Sequence, residues 1–241
     1  MLQFDWFTAI LLIGIAQGVL LALALLNKRD GDHFANRFIA LSLLVQSFIL
    51  VDELLLNADV EGRYLHLEGV IWPTVFVLGP LFWWYTRSLL EERTDFGRKQ
   101  LAHLIPAFLS VILLLPFYTL GADEKRTFLD TVLYTDTIVG DWRETALWIF
   151  FLSMIWHTGI YAVMVLRRIY QHRRSLPDNF SFEENISLRW LNSVVMAYLV
   201  IWTLFFFSLT GATDRILYLS DTLLYLSMVA NIFVTGFFAV R

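Results

Sequence analysis

Apolar runs long enough to cross a bilayer recur along this chain at roughly 6–27, 35–56, 69–90, 101–120, 145–166, 190–210 and 219–240. A helix needs about 20 mostly apolar residues to span roughly 30 Å of hydrocarbon. Short polar interruptions separate the runs, as between antiparallel neighbours in a bundle. The pattern predicts an all-α, polytopic membrane protein, a single seven-transmembrane-helix bundle over residues 1–241. Runs one to three and five to seven have matching directions about run four, which permits a parallel three-plus-one-plus-three arrangement. The interruption at 121–144 contains an apolar stretch, Phe128 to Leu133, flanked by charges. That predicts a short amphipathic helix lying along the membrane surface. The interruption at 167–189 opens with Arg167-Arg168 and His172-Arg173-Arg174, then passes Pro177 into a polar segment. There Ser181 and Glu184 have the spacing of a capping box.

Composition sharpens this picture. The hydrophobic fraction is 58 % and the charged fraction 17 %, against the roughly 45–50 % apolar usage of soluble domains. The net charge of −4 says little, because placement of charge matters more than its sum in a membrane protein. No cysteine is present, which excludes disulfides, thiol chemistry and thiolate metal sites. The first apolar run has no basic segment before it and no small-residue cleavage motif after it. It reads as a retained span and not a signal peptide.

Lys and Arg favour cytoplasmic loops. With the N-terminus outside, the inner side holds Lys28, Arg29, Arg37, Arg87, Arg93, Arg98, Lys99, Arg167, Arg168, Arg173, Arg174, Arg189 and Arg241. The outer side keeps only Arg63, Lys125, Arg126, Arg143 and Arg215. The orientation is therefore N-terminus outside and C-terminus cytoplasmic. The outer rim is comparatively acidic, with Asp59, Glu61, Glu68, Asp123, Glu124, Asp130, Asp136, Asp141, Glu144 and Asp214.

Ionisable residues inside spans are functional candidates by default. Asp52 and Glu53 lie near the outer end of run two, and Asp221 near the outer end of run seven. Solvation at the interface is the simple reading for Asp221. For Asp52 and Glu53 both readings stay open, because adjacent helical residues point in different directions. His157 lies midway along run five, beside Trp156 and one turn from Tyr161. A neutral histidine hydrogen-bonded in the bundle core is its simplest reading. Trp6, Trp142, Trp190 and Tyr218 fit an interfacial belt, whereas Trp72, Trp83, Trp148, Trp156 and Trp202 lie deeper. Candidate ligand-binding residues are Asp52, Glu53, Trp72, Trp83, His157, Tyr161, Trp202 and Tyr225, on runs two, three, five, six and seven. In run three, Gly79-Pro80 is a candidate hinge, since Pro80 cannot donate to the carbonyl of Phe76. A static kink filled by neighbours and a bend serving a ligand site both fit. Gly14 and Gly18, four apart in run one, permit close helix approach. Packing inside the bundle is the first reading of that stripe, and a homodimer seam the second.

Other chemistries fall away. The lysines, Lys28, Lys99 and Lys125, all fall between the runs, so a retinal Schiff base inside the bundle is excluded. No histidine pair has i,i+4 spacing, so no helical two-histidine metal motif exists. No metal and no cofactor is expected. An intramembrane enzyme would have to rely on Asp52, Glu53 and His157, and none is expected. The extended row of intramembrane charges of a proton-driven carrier is missing.

Three stretches carry a family resemblance: Leu78-Gly79-Pro80-Leu81-Phe82-Trp83-Trp84-Tyr85-Thr86-Arg87-Ser88-Leu89; His103-Leu104-Ile105-Pro106-Ala107-Phe108 ahead of Leu113-Leu114-Leu115-Pro116-Phe117; and Phe180-Ser181 through Asn185-Ile186-Ser187-Leu188-Arg189-Trp190-Leu191. In order and spacing they resemble the N-terminal seven-helix membrane domain of bacterial AraC-type helix-turn-helix transcriptional regulators. The resemblance implies a bacterial inner-membrane sensor of a small ligand or of membrane state. It also implies a DNA-binding domain after Arg241, so that DNA is a partner only through that domain. Sensor modules of LytS-like histidine kinases are similar, and a small-molecule transporter or lipid-binding bundle is the alternative from another class. A green fluorescent protein fused after Arg241 is expected to shine, and alkaline phosphatase fused there to stay inactive; the reverse pattern would overturn the orientation.

Overall fold

A computed structural model describes residues 5–28, 32–58, 67–91, 97–134, 140, 142–175, 182–209 and 214–240. These residues form α1 (Trp6–Asn27), α2 (His33–Ala58), α3 (Val75–Leu90), α4 (Ile105–Tyr118), α5 (Ala122–Tyr134), α6 (Trp142–Ser175), α7 (Phe182–Leu209) and α8 (Asp214–Val240). No strand occurs among them. The helices begin where the chemistry supplies a cap. The Asp5 carboxylate accepts from the Thr8 N–H at 2.8 Å, and Asp32 accepts from Phe34 at 2.7 Å. Each such bond satisfies a first-turn donor that has no partner within the helix.

Prolines set the starts of two others. The run at 69–90 divides into a 3₁₀ turn, Trp72–Thr74, and α3. The run at 101–120 divides into a 3₁₀ segment, Arg98–Leu104, and α4. Pro73 lies in the first and Pro106 in the second at helix starts, where a missing N–H costs nothing. The apolar stretch at 128–133 belongs to a longer helix, α5, which packs Leu129 and Val132 into a cluster with Phe76, Leu114, Phe117 and Phe150. Lys125, expected between elements, lies on α5 and is buried, with 1 % of its surface exposed. The proposed Ser181–Glu184 capping box, the charges Arg29, Asp59, Glu61, Arg63, Arg93, Asp136, Asp141 and Arg241, and the Asp221 and Tyr218 side chains lie outside what the structure describes.

Helix neighbours trace a ring: α1 packs on α2, α2 on α3, α3 on α6, α6 on α7, α7 on α8, and α8 back on α1. α4 packs on α6 and α3 from outside this ring. Among the described residues, five helical segments are long and apolar enough to cross a membrane: Trp6–Asn27, His33–Asn57, Arg98–Tyr118, Trp142–Arg174 and Thr222–Ala239. Their outward faces are apolar as well. Leu20, Leu23, Phe108, Leu109, Leu152, Trp156, Val163 and Phe237 are all exposed, a surface far larger than a water-soluble monomer tolerates. The chain is therefore an all-helical protein suited to a hydrocarbon surround. At 34 residues, α6 is about 50 Å long by its rise per residue, more than a bilayer core. Its last turn carries His172, Arg173 and Arg174, where positive charge suits the helix dipole.

The ring closes on small residues. A methyl group placed on Gly18 would lie 2.1 Å from the Ser47 hydroxyl, and one on Gly14 2.6 Å from Val229. The stripe thus packs α1 against α2 and α8 inside the bundle. Replacing Gly18 by Leu should lower the melting temperature of the purified protein, with a cost of about 1–3 kcal/mol typical of overpacking. Leu20→Ala, on the exposed face of the same helix, should leave it nearly unchanged; equal effects of the two would refute close packing at Gly18.

Candidate functional site: a cavity inside the helix ring

Helical spacing puts one face of each of several helices around a common space. On α2 these are Gln46, Ile49, Asp52, Glu53 and Leu56; on α7, Tyr198, Ile201, Trp202 and Phe205; on α8, Leu224, Tyr225 and Met228. Trp72, Val75 and Leu78 add the α3 side, Phe151 and Met154 the α6 side, and Glu68 and Ile71 the turn before α3. The space they surround is about 380 Å³, in the range of small-molecule sites. Asp52 and Glu53 both reach this wall although they are sequence neighbours, because the concave lining spans more than one helical direction.

Three acids and a majority of apolar and aromatic groups thus share one lining, and among the described residues no Lys, Arg or His is part of it. Glu68 sits just outside the helices. Burial first, and then the Asp52 carboxylate, push its carboxyl from the ordinary 4.5 to about 7; Asp130 and Glu53 add to the rise and Lys125 opposes it. The Lys125 ammonium meets the backbone of Glu68. It donates to the Glu68 carbonyl at 3.2 Å and stands 4.9 Å from the centre of the Phe117 ring and 5.8 Å from that of Tyr118. Burial lowers the pKa of that amine. The Tyr118 hydroxyl in turn donates to the Gly69 carbonyl at 2.9 Å, so the turn carrying Glu68 is tied to α4 and α5.

Of the eight candidate ligand residues, the structure brings Asp52, Glu53, Trp72, Trp202 and Tyr225 to this cavity. Trp83, His157 and Tyr161 are not part of its lining. Trp83 packs against the main hydrophobic cluster. The Tyr161 hydroxyl is hydrogen-bonded to Nδ1 of His103, and its ring lies on Gly79, where an added methyl would come within 2.7 Å. Gly79 therefore admits the α6 aromatic to the α3 backbone beside Pro80. His157 lies edge-on to Phe76 and tilted on Tyr161, at 5.0 and 4.7 Å between ring centres. Contrary to the expectation of a hydrogen-bonded core histidine, neither ring nitrogen has a hydrogen-bond partner among the described residues. Its ring contacts are with Phe76 and Tyr161, and the Tyr161 hydroxyl is committed to His103. No group of three metal-ligating side chains occurs among the described residues.

Gln46, Glu68 and Tyr198 also join the lining, none of them a candidate ligand residue by sequence and Glu68 expected only on the outer rim. Gln46 is 1 % exposed and accepts a 2.8 Å hydrogen bond from the Asn231 amide of α8. Two amides inside apolar runs were the available signal, since such groups seek each other across helices. Nothing local marks Glu68, whose position depends on the turn before α3.

At the opposite end, the Glu91 carboxylate is held by Arg87 at 2.8 Å and by Arg168 of α6 at 2.8 Å. Hydrogen bonds from Arg87 foremost, and the two positive charges, hold Glu91 below its ordinary value. Trp190, expected at an interface, is only 8 % exposed. It lies 5.9 Å from Tyr85 of α3 and stacks on Phe238 of α8 at 5.7 Å.

Because Glu68 keeps its proton to higher pH folded than unfolded, the folded form loses stability as pH rises from about 4.5 to about 7. Melting temperature should therefore fall between pH 5 and pH 8, and Glu68→Gln should flatten that fall. Parallel wild-type and variant profiles would refute a titrating Glu68.

No family model, curated protein or solved structure matches this chain, and its functional reading rests on this cavity and the helices that form it.

Proposed function

We propose that this chain is the membrane-embedded sensor or receptor domain of a bacterial transcriptional regulator. In this reading it crosses the inner membrane seven times, through α1, α2, the α3 and α4 segments, α6, α7 and α8. Its N-terminus is periplasmic and its C-terminus cytoplasmic, as the basic-residue bias implies. The acidic end with the cavity then faces the periplasm, and α8 leads to a cytoplasmic helix-turn-helix output. It is a binding module and not an enzyme.

The cavity of about 380 Å³ inside the helix ring carries this reading. It lies between α2, α3, α6, α7 and α8, so a ligand there touches helices that also meet at the far end. A ligand shifts the output only by binding one arrangement better than another. Two routes lead from the cavity to α8. One is the Gln46–Asn231 hydrogen bond at 2.8 Å. The other runs down α3, past Gly79 and Pro80, to Tyr85, Trp190 and Phe238. Pro80 removes one backbone bond from α3 and so lowers its resistance to bending there.

With a cytoplasmic output domain joined to the end of α8, Pro80→Ala should fix reporter output high or low at wild-type abundance. Trp190→Leu should reduce the ligand response at least tenfold while ligand binding stays within twofold of wild type. Unchanged basal output and response in both variants would remove this mechanism. Ligand flux through the protein in liposomes would favour a transporter in its place.

A further inference from the structure

The cavity is elongated, and its lining is graded from one end to the other. α2 contributes from Gln46 to Leu56 and α7 from Tyr198 to Phe205, about 15 and 10 Å by the rise of a helix. Contacts between helices fix which lining residues share a level. At the inner end the Asn231 amide of α8 donates to Gln46 at 2.8 Å, and Tyr198 lies edge-on to Phe82 at 4.9 Å. Gln46 and Tyr198 are the floor. Leu78 stands one turn above Phe82, and Met228 about one turn above Asn231. Met154 stands one turn below Phe151, which meets Phe205 at 6.1 Å near the outer end. The rim carries Asp52, Glu53 and Glu68 with Trp72, Trp202 and Tyr225.

Each level selects a different part of a ligand. The lower wall, with Ile49, Leu78, Met154, Ile201 and Met228, is aliphatic or thioether. Such side chains adapt to a flexible apolar occupant and offer it no strong polar partner. At the rim, a carboxyl oxygen accepts more than one hydrogen bond. A donor can therefore join it whether or not that acid already has a partner in the protein. Indole and phenol groups at the same level can donate, so the head that suits the whole rim both donates and accepts, as a hydroxyl does. An extended alkyl chain advances about 1.3 Å per bond by its covalent geometry, and the length of the cavity limits how many carbons fit below that head.

We infer that the cavity binds an unbranched, uncharged amphiphile, an alkyl chain of about eight to ten carbons carrying a hydroxylated head. The head lies among Asp52, Glu53 and Glu68, and the chain end lies between Leu78, Met154 and Met228. The inference deepens the sensor reading by naming its ligand class, and rests on that reading only for the signal that follows binding. A membrane glyceride and a soluble amphiphile share this chemistry.

The test uses the protein in lipid nanodiscs, with empty nanodiscs as the control. The probes are two photoreactive octanols, one with a diazirine at the far end of the chain and one with it beside the hydroxyl. Mass spectrometry of peptides locates the label. Saturable labelling by one probe per chain is expected, the far-end probe on Leu78, Met154 or Met228 and the near-head probe on Glu53 or Glu68. Unlabelled straight-chain alcohols should protect, each methylene strengthening protection about threefold to fourfold. Beyond about decanol the gain should stop, while partition into empty nanodiscs keeps rising. Met154→Phe with Met228→Phe should move that limit at least two carbons shorter, and Met228→Phe alone serves if the double variant does not fold. Labelling in the reverse orientation, no chain-length limit, or a limit unmoved by the variant would overturn the inference. So would protection by octanoate or octylammonium at least tenfold stronger than by octanol. Protection by 1-monooctanoylglycerol would support it with a glyceride as the source, and protection by octanol without it would support a soluble source. The chain has no cysteine, so Leu89→Cys and Phe237→Cys, both at exposed positions, can carry spin labels on α3 and α8. Decanol that binds without changing the distance between them leaves the inference standing and removes the sensor reading. A distance change driven by bilayer thickness, with no saturable labelling of the cavity, does the opposite.

Discussion

The close approach of α1 to both α2 and α8 is the constraint on which the rest of the bundle depends. It joins the two ends of the chain and turns a row of helices into a ring. Gly14 and Gly18 make it possible, since a methyl on either would press into Val229 or Ser47. Helices in hydrocarbon gain nothing from leaving water, so packing and hydrogen bonds must hold them together. Small residues let dispersion contacts form over the whole face. With the ring closed, the sides of α2, α3, α6, α7 and α8 that do not meet one another enclose the cavity.

Polar groups are distributed unevenly along this ring. At one end, Arg87, Glu91 and Arg168 satisfy each other in a bridge between α3 and α6. At the other, Asp52, Glu53 and Glu68 share a lining with aromatic side chains, and the Lys125 ammonium donates to the Glu68 carbonyl and lies on two rings. The first arrangement is balanced within the protein and serves as a tie. The second borders a cavity of about 380 Å³, which is the physical basis for reading that end as the receptive one.

α3 connects the two. Its upper part lines the cavity through Val75 and Leu78, with Trp72 of the preceding 3₁₀ turn, and its lower part meets Trp190 of α7 through Tyr85, Trp190 in turn stacking on Phe238 of α8. Between them Pro80 lacks a backbone donor, and Tyr161 rests on Gly79. A helix with a weakened point at mid-length, flanked by a cavity and by an aromatic stack, has the layout that a ligand-biased, two-state element requires. His157 and Tyr161 lie beside that point, so they belong to its packing and not to the cavity lining.

Which residues form helices was legible in the sequence, because long apolar runs between polar interruptions leave the backbone few alternatives. Asp52, Glu53, Trp72, Trp202 and Tyr225 were legible as candidates on the same ground, being polar or amphipathic groups within such runs. Which of the candidates meet was decided only by tertiary structure. A helix in water betrays its inner face by amphipathic periodicity. Helices with apolar neighbours on one side and exposed apolar faces on the other carry no such signal, and their rotation about their own axes is set by packing. That is why Trp83, His157 and Tyr161 turned elsewhere, why Gln46, Glu68 and Tyr198 joined the cavity, and why Lys125 and Trp190, each read from position alone as peripheral, are buried.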